Sequence, residues 1–216
     1  MSKLKLSEVS PQVLTIAVVS GYLLCQIIAD VTAVKIVALW GFTFPAATFI
    51  YAVSFTMRDL AHKQLGKRAT ITLIWAAAIV NVLMALYFML TIELPAPPFW
   101  SLQEAYASIL GIVPRIVAAS IAAELVSQLL DTEVYQRVWD RFPKAPQIFR
   151  VLASNAVAGP FDSLIFIFVA FGGTMPAAAL WQLVLGQTLL KWALTIVSMP
   201  MIYLIPERPT TDASIG

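Results

Sequence analysis

Between residues 69 and 92 the sequence reads ATITLIWAAAIVNVLMALYFMLTI, without one charged side chain. A helix needs roughly 20 apolar residues to cross the hydrocarbon of a bilayer, and this run exceeds that. Runs of the same character lie on both sides of it. Residues 13–29 and the shorter 42–57 precede it, and segments near 106–130, 148–171 and 176–205 follow. Of the 216 residues 60% are apolar and 12% charged, with a mean hydropathy of +0.83. Soluble domains run nearer roughly 45–50% and 25%, so the chain lacks the polar surface to cover a water-soluble core. The expected fold is all-α and membrane-integral. A six-transmembrane-helix bundle spans 13–205, between tails at 1–12 and 206–216.

Two runs need a decision. Lys3 and Lys5 ahead of the first resemble a signal peptide, but Asp30 follows it and no small-residue cleavage pattern does, so a retained span is expected. The run 42–57 gives only about 24 Å of helix, so its span is expected to borrow turns from 34–40. The basic residues then set the orientation. Arg58, Lys63, Lys67 and Arg68 follow the second span, and Arg137, Arg141 and Lys144 follow the fourth. Residues 94–105 and 172–175 contain no lysine or arginine. Every second loop is basic, which places both termini in the cytoplasm and fits an even number of spans.

Several classes are excluded. A net charge of +2 gives no footprint for nucleic acid. Cys25 is the single cysteine and His62 the single histidine, so no intrachain disulfide is possible and no metal centre or cofactor is expected. No glycine-rich run ends in Gly-Lys-Ser or Gly-Lys-Thr, so the chain does not hydrolyse ATP itself. It is a secondary carrier or a substrate-binding subunit with an energising partner; a homo-oligomer is also open. No Gly-x-Ser-x-Gly or His-Glu-x-x-His occurs, and Asp131 and Asp162 lack the Gly-Asp context of intramembrane aspartyl proteases. The expectation is not an enzyme. An intramembrane enzyme or a non-transport assembly subunit is the alternative from another class.

The polar residues inside the spans carry the rest. A charge at mid-bilayer costs about 2.5–3.5 kcal/mol on insertion scales, so each needs a partner, water or a function. Glu124, Gln128 and Asp131 stand at i, i+4 and i+7, one helical stripe. Asn155, Gly159 and Asp162 repeat that spacing one span later, which reads as a weak inverted repeat of spans four and five. Ala118, Ala119, Ala122, Ala123, Ala153, Ala156 and Ala158 line the stripes and allow close helix approach. Gly159-Pro160 is expected to break the fifth helix beside Asp162. The plainer alternative is structural: a buried acid pairs with Arg115 or Lys191 and ties the bundle together.

Four segments then carry a resemblance: Asp30-Val-Thr-Ala-Val-Lys35, Arg58-Asp-Leu-Ala-His-Lys-Gln-Leu-Gly66, Ala119-Ser-Ile-Ala-Ala-Glu-Leu-Val-Ser-Gln-Leu-Leu-Asp131, and Arg150-Val-Leu-Ala-Ser-Asn155 with Asp162-Ser-Leu-Ile-Phe166. In order and spacing they resemble the queuosine precursor transporter family, also called the vitamin uptake transporter family. The resemblance implies a bacterial inner-membrane importer of 7-cyano- or 7-aminomethyl-7-deazaguanine, bases used to modify tRNA. It carries a role to Asp30, Lys35, Asp59, Gly66, Ser127, Gln128, Asp131, Arg150, Ser154 and Asp162. Two places depart from the family pattern. Residues 61–65 contain no acid, and Ala158-Gly159 stand where a second serine-glutamine is usual.

A guanine-like base presents N–H donors on one edge and a carbonyl on another. A carboxylate accepts two such donors and an amide both donates and accepts. The candidate substrate-binding set is Asp30, Lys35, Glu124, Gln128, Asp131, Arg150, Ser154, Asn155 and Asp162, with Phe161, Phe166, Trp40 and Tyr51 as stacking faces. Glu124 suits an aminomethyl cation. A buried acid can also carry a proton and couple uptake to the proton gradient; unchanged initial rates after collapse of that gradient remove this coupling.

Overall fold

The computed structural model describes residues 10–142, 144 and 147–203. Residues 1–9 and 206–216 of the expected tails lie outside the described residues, as do the side chains of Asp59, His62, Lys63, Lys67 and Arg150.

Helix α1, Pro11–Thr32, opens on Ser10, whose Oγ accepts the Val13 N–H at 3.4 Å. The chain then departs from the all-helical expectation. Residues 34–40 lend no turns to a helix. Strands β1, Ile36–Leu39, and β2, Phe42–Pro45, form an antiparallel hairpin with Ile36 opposite Pro45 and Leu39 opposite Phe42. Trp40 and Gly41 make the turn with φ of 53° and 81°, the positive values that fit a two-residue hairpin loop. Pro45 disfavours helical backbone at the residue before it, so the next helix begins only at Ala47.

Helix α2, Ala47–Glu93, is two arms joined at Gly66, whose φ of 82° and ψ of 170° only glycine adopts readily. The basic segment 58–68, expected as a loop, is helical except at that glycine. Leu, Ala, Lys and Gln there are good helix formers. Ala61 of the first arm and Leu73 and Ala77 of the second pack with Val18 and Tyr22 of α1, so both arms lie against α1.

The expected fourth span divides into α3, Gln103–Leu110, and α4, Val113–Arg141. Arg137 and Arg141 therefore sit on a helix rather than in a loop, and Arg137 pairs with Glu133 at 2.9 Å. Helix α5, Gln147–Phe171, runs unbroken through Gly159-Pro160, which corrects the expected break. A proline removes one backbone donor, and packed neighbours in membrane bundles accommodate that loss. Helix α6, Ala177–Tyr203, completes the described chain.

Alanines hold the centre. Ala29, Ala33, Ala47, Ala119 and Ala123 meet Ile167 and Leu183 in one buried cluster drawn from α1, α2, α4, α5 and α6. The hairpin is wedged into this bundle. Phe44 and Pro45 are buried, and a Cβ on Gly186 of α6 would collide with the backbone of Thr43. The outer face is apolar instead of polar: Trp75, Leu83, Leu86, Leu90, Trp181 and Leu185 are all exposed. Among the described residues four helical stretches are long and apolar enough to cross a membrane: Gln12–Thr32, Arg68–Glu93, Gln103–Val138 and Leu152–Phe171.

Candidate functional site

Helices α4 and α5 turn their polar stripes toward the bundle interior, where two neighbouring cavities open. The first is walled by Asp30, Thr48, Tyr51, Ser120, Phe166 and Gln187, among others. The second is walled by Arg58, Gln128, Asp131, Asn155, Gly159 and Trp192, with Ser127 and Ala158. Asp162 and Lys191 line both cavities.

The polar groups are paired across helices. Lys191 Nζ donates to Asp162 Oδ2 in an ion pair whose side chains are 10% and 9% exposed. The same Nζ lies 4.7 Å from the centroid of the Tyr51 ring, a cation–π contact. Asp30, 4% exposed, accepts from Ser120 Oγ at 2.8 Å and from Asn81 Nδ2 at 2.7 Å, which ties α1 to α4 and to the second arm of α2. Glu124 Oε1 accepts from Gln128 Nε2 at 2.9 Å. Arg58, Asp162 and Lys191 are within electrostatic reach of Glu124. Two buried acceptors on the cavity walls have no hydrogen-bond partner: Gln187 Oε1 in the first and Asp131 Oδ1 in the second.

Of the expected residues, Asp30, Gln128, Asp131, Asn155 and Asp162 line the cavities, and Glu124 sits one turn from Gln128. Ser154 is buried but in neither lining. Lys35 is exposed where the chain leaves α1 for the hairpin, apart from the cavities. The Arg150 side chain lies outside the described residues. Among the aromatic candidates, Tyr51 and Phe166 line the first cavity, whereas Phe161 is half-exposed and Trp40 is the exposed hairpin tip. The Lys191–Asp162 pair matches the structural alternative, whereas Arg115 donates from Nε and Nη2 to the carbonyls of Val169 and Gly172 at 2.6 and 2.5 Å and caps the C-terminal end of α5.

Lys191, Gln187 and Asn81 are absent from the expected binding set. Gln187 and Lys191, at i and i+4 in one apolar run, carried a signal for the first two. Asn81, a neutral amide alone within 69–92, carried none. Among the described residues no group of three His, Cys, Asp or Glu is placed to hold a metal ion.

Residues 45–205 match the family described as "Putative vitamin uptake transporter". A relative from Bacillus subtilis (strain 168), named "Probable queuosine precursor transporter", is 30% identical over 187 residues, covering 85% of this chain and 81% of that protein. No solved structure matches the chain.

Proposed function

The chain belongs to the vitamin uptake transporter family, and from that premise we propose that it imports a small purine-like queuosine precursor, 7-cyano- or 7-aminomethyl-7-deazaguanine, across a bacterial inner membrane. The name of the Bacillus subtilis relative motivates the solute. The observation that carries the reading is a carboxylate-rich centre enclosed in an apolar bundle. Asp30, Glu124, Asp131 and Asp162 gather around the two cavities against Lys191 and Arg58. A donor-rich or cationic heterocycle suits that excess of acceptors.

In this reading Asp162 accepts two N–H donors from the edge of the base. Gln128 and Asn155 meet its remaining donors and carbonyl, and Tyr51 and Phe166 bracket the ring. Import is coupled to the proton gradient through one of the buried acids.

The test is rescue. Bacteria unable to make or import the base express this chain and receive each base at low concentration. Queuosine in tRNA is then read by gel retardation. Modified tRNA is expected, and Asp162→Asn abolishes it at equal membrane expression. Modification that survives Asp162→Asn removes Asp162 from the site. No modification by a chain present in the membrane removes the deazaguanine substrate.

A further inference from the structure

The two cavities follow one another along four helices, first then second in chain direction on α2, α4 and α6 and in the reverse direction on α5. On α4 the first cavity takes Ser120 and Ala123, and the second takes Ser127, Gln128 and Asp131. On the first arm of α2, Thr48 and Tyr51 belong to the first and Arg58 to the second. On α5, Phe166 faces the first and Asn155 and Gly159 the second; on α6, Gln187 faces the first and Trp192 the second. Ser120 to Asp131 alone is about 16 Å of helical rise. Between the two sets, on both linings, stand Asp162 and Lys191.

We propose that the Asp162–Lys191 ion pair is a movable partition between two halves of one permeation path, and that a donor-rich heterocycle crosses by replacing Lys191 on the Asp162 carboxylate. This rests on the transporter reading above and adds the crossing step to it. A desolvated ion pair does not simply open, because each charge left without a partner is costly. Here both charges have a replacement at hand. The N–H edge of the solute serves Asp162. Lys191 already lies over the Tyr51 ring, and Gln187 Oε1, one turn earlier on α6, is a buried acceptor with no partner. Asp131 Oδ1 offers the solute a matching open acceptor in the second cavity. The exchange selects for adjacent N–H donors, neutral or cationic, and against anions.

Accessibility of introduced cysteines tests this without any solute. In a Cys25→Ser background, Ala123→Cys reports on the first cavity and Ala158→Cys on the second. A membrane-impermeant thiol reagent is added to one face of sealed, oriented vesicles. With the pair intact, the two cysteines are expected to react from opposite faces. In Lys191→Met both become reactive from either face, with faster labelling from the formerly closed face. The exchanged pair, Asp162→Lys with Lys191→Asp, restores one-sided labelling. It also carries the test alone if Lys191→Met fails to reach the membrane in monodisperse form. Labelling of both cysteines from one face with the pair intact overturns the proposal. So does one-sided labelling that persists in Lys191→Met, or an exchanged pair that stays open. A chain that imports no deazaguanine yet labels one-sidedly loses the substrate and keeps the partition.

Discussion

Asp30 is a buried carboxylate that depends on donors from two other helices, Ser120 on α4 and Asn81 on α2. Asn81→Ala leaves Asp30 with Ser120 as its remaining side-chain donor of the two. Removing a partner from a buried polar group costs about 1–3 kcal/mol, so the purified variant is expected to melt at a lower temperature; an unchanged Tm contradicts the bond. Asp30 and Asp162 were legible in the sequence because a charge inside an apolar run demands a partner. Asn81 was not, because a neutral amide makes no such demand at the level of composition. Lys35 lies apart from the cavities because α1 ends at Thr32 and the chain turns there toward the hairpin.

At the scale of the element, the hairpin is the feature that positions the first cavity. It delivers Pro45 and then Thr48 to the cavity wall. It reaches that place because Gly186 lets the Thr43 backbone lie directly on α6. Gly186→Ala forces the two apart, with an expected loss of about 1–3 kcal/mol from overpacking. A lowered Tm together with faster proteolysis at residues 39–42 checks it; a variant as stable and as resistant as the parent contradicts the contact. The hairpin was not legible because a short apolar run does not distinguish strand from helix by periodicity. Conversely, Gly159-Pro160 carried the local chemistry of a break, but α5 continues through it.

For the whole molecule, the long helices were plain in the sequence from length and hydropathy, and the apolar outer face agrees with them. The proposed topology has six spans: α1, the two arms of α2, α4, α5 and α6, with both ends cytoplasmic. The alternation of basic residues motivates it. A periplasm-active reporter fused after Ser101 is expected to be active, and the same reporter fused after Lys144 inactive; the reverse pattern contradicts the orientation. On the proposed function, a purine-like base moves through the polar centre of this chain. Uptake of labelled 7-cyano-7-deazaguanine by the purified protein in sealed proteoliposomes tests it most directly. Saturable uptake that Asp162→Asn abolishes is expected. Vesicles that hold correctly inserted protein and take up no more base than empty ones contradict it.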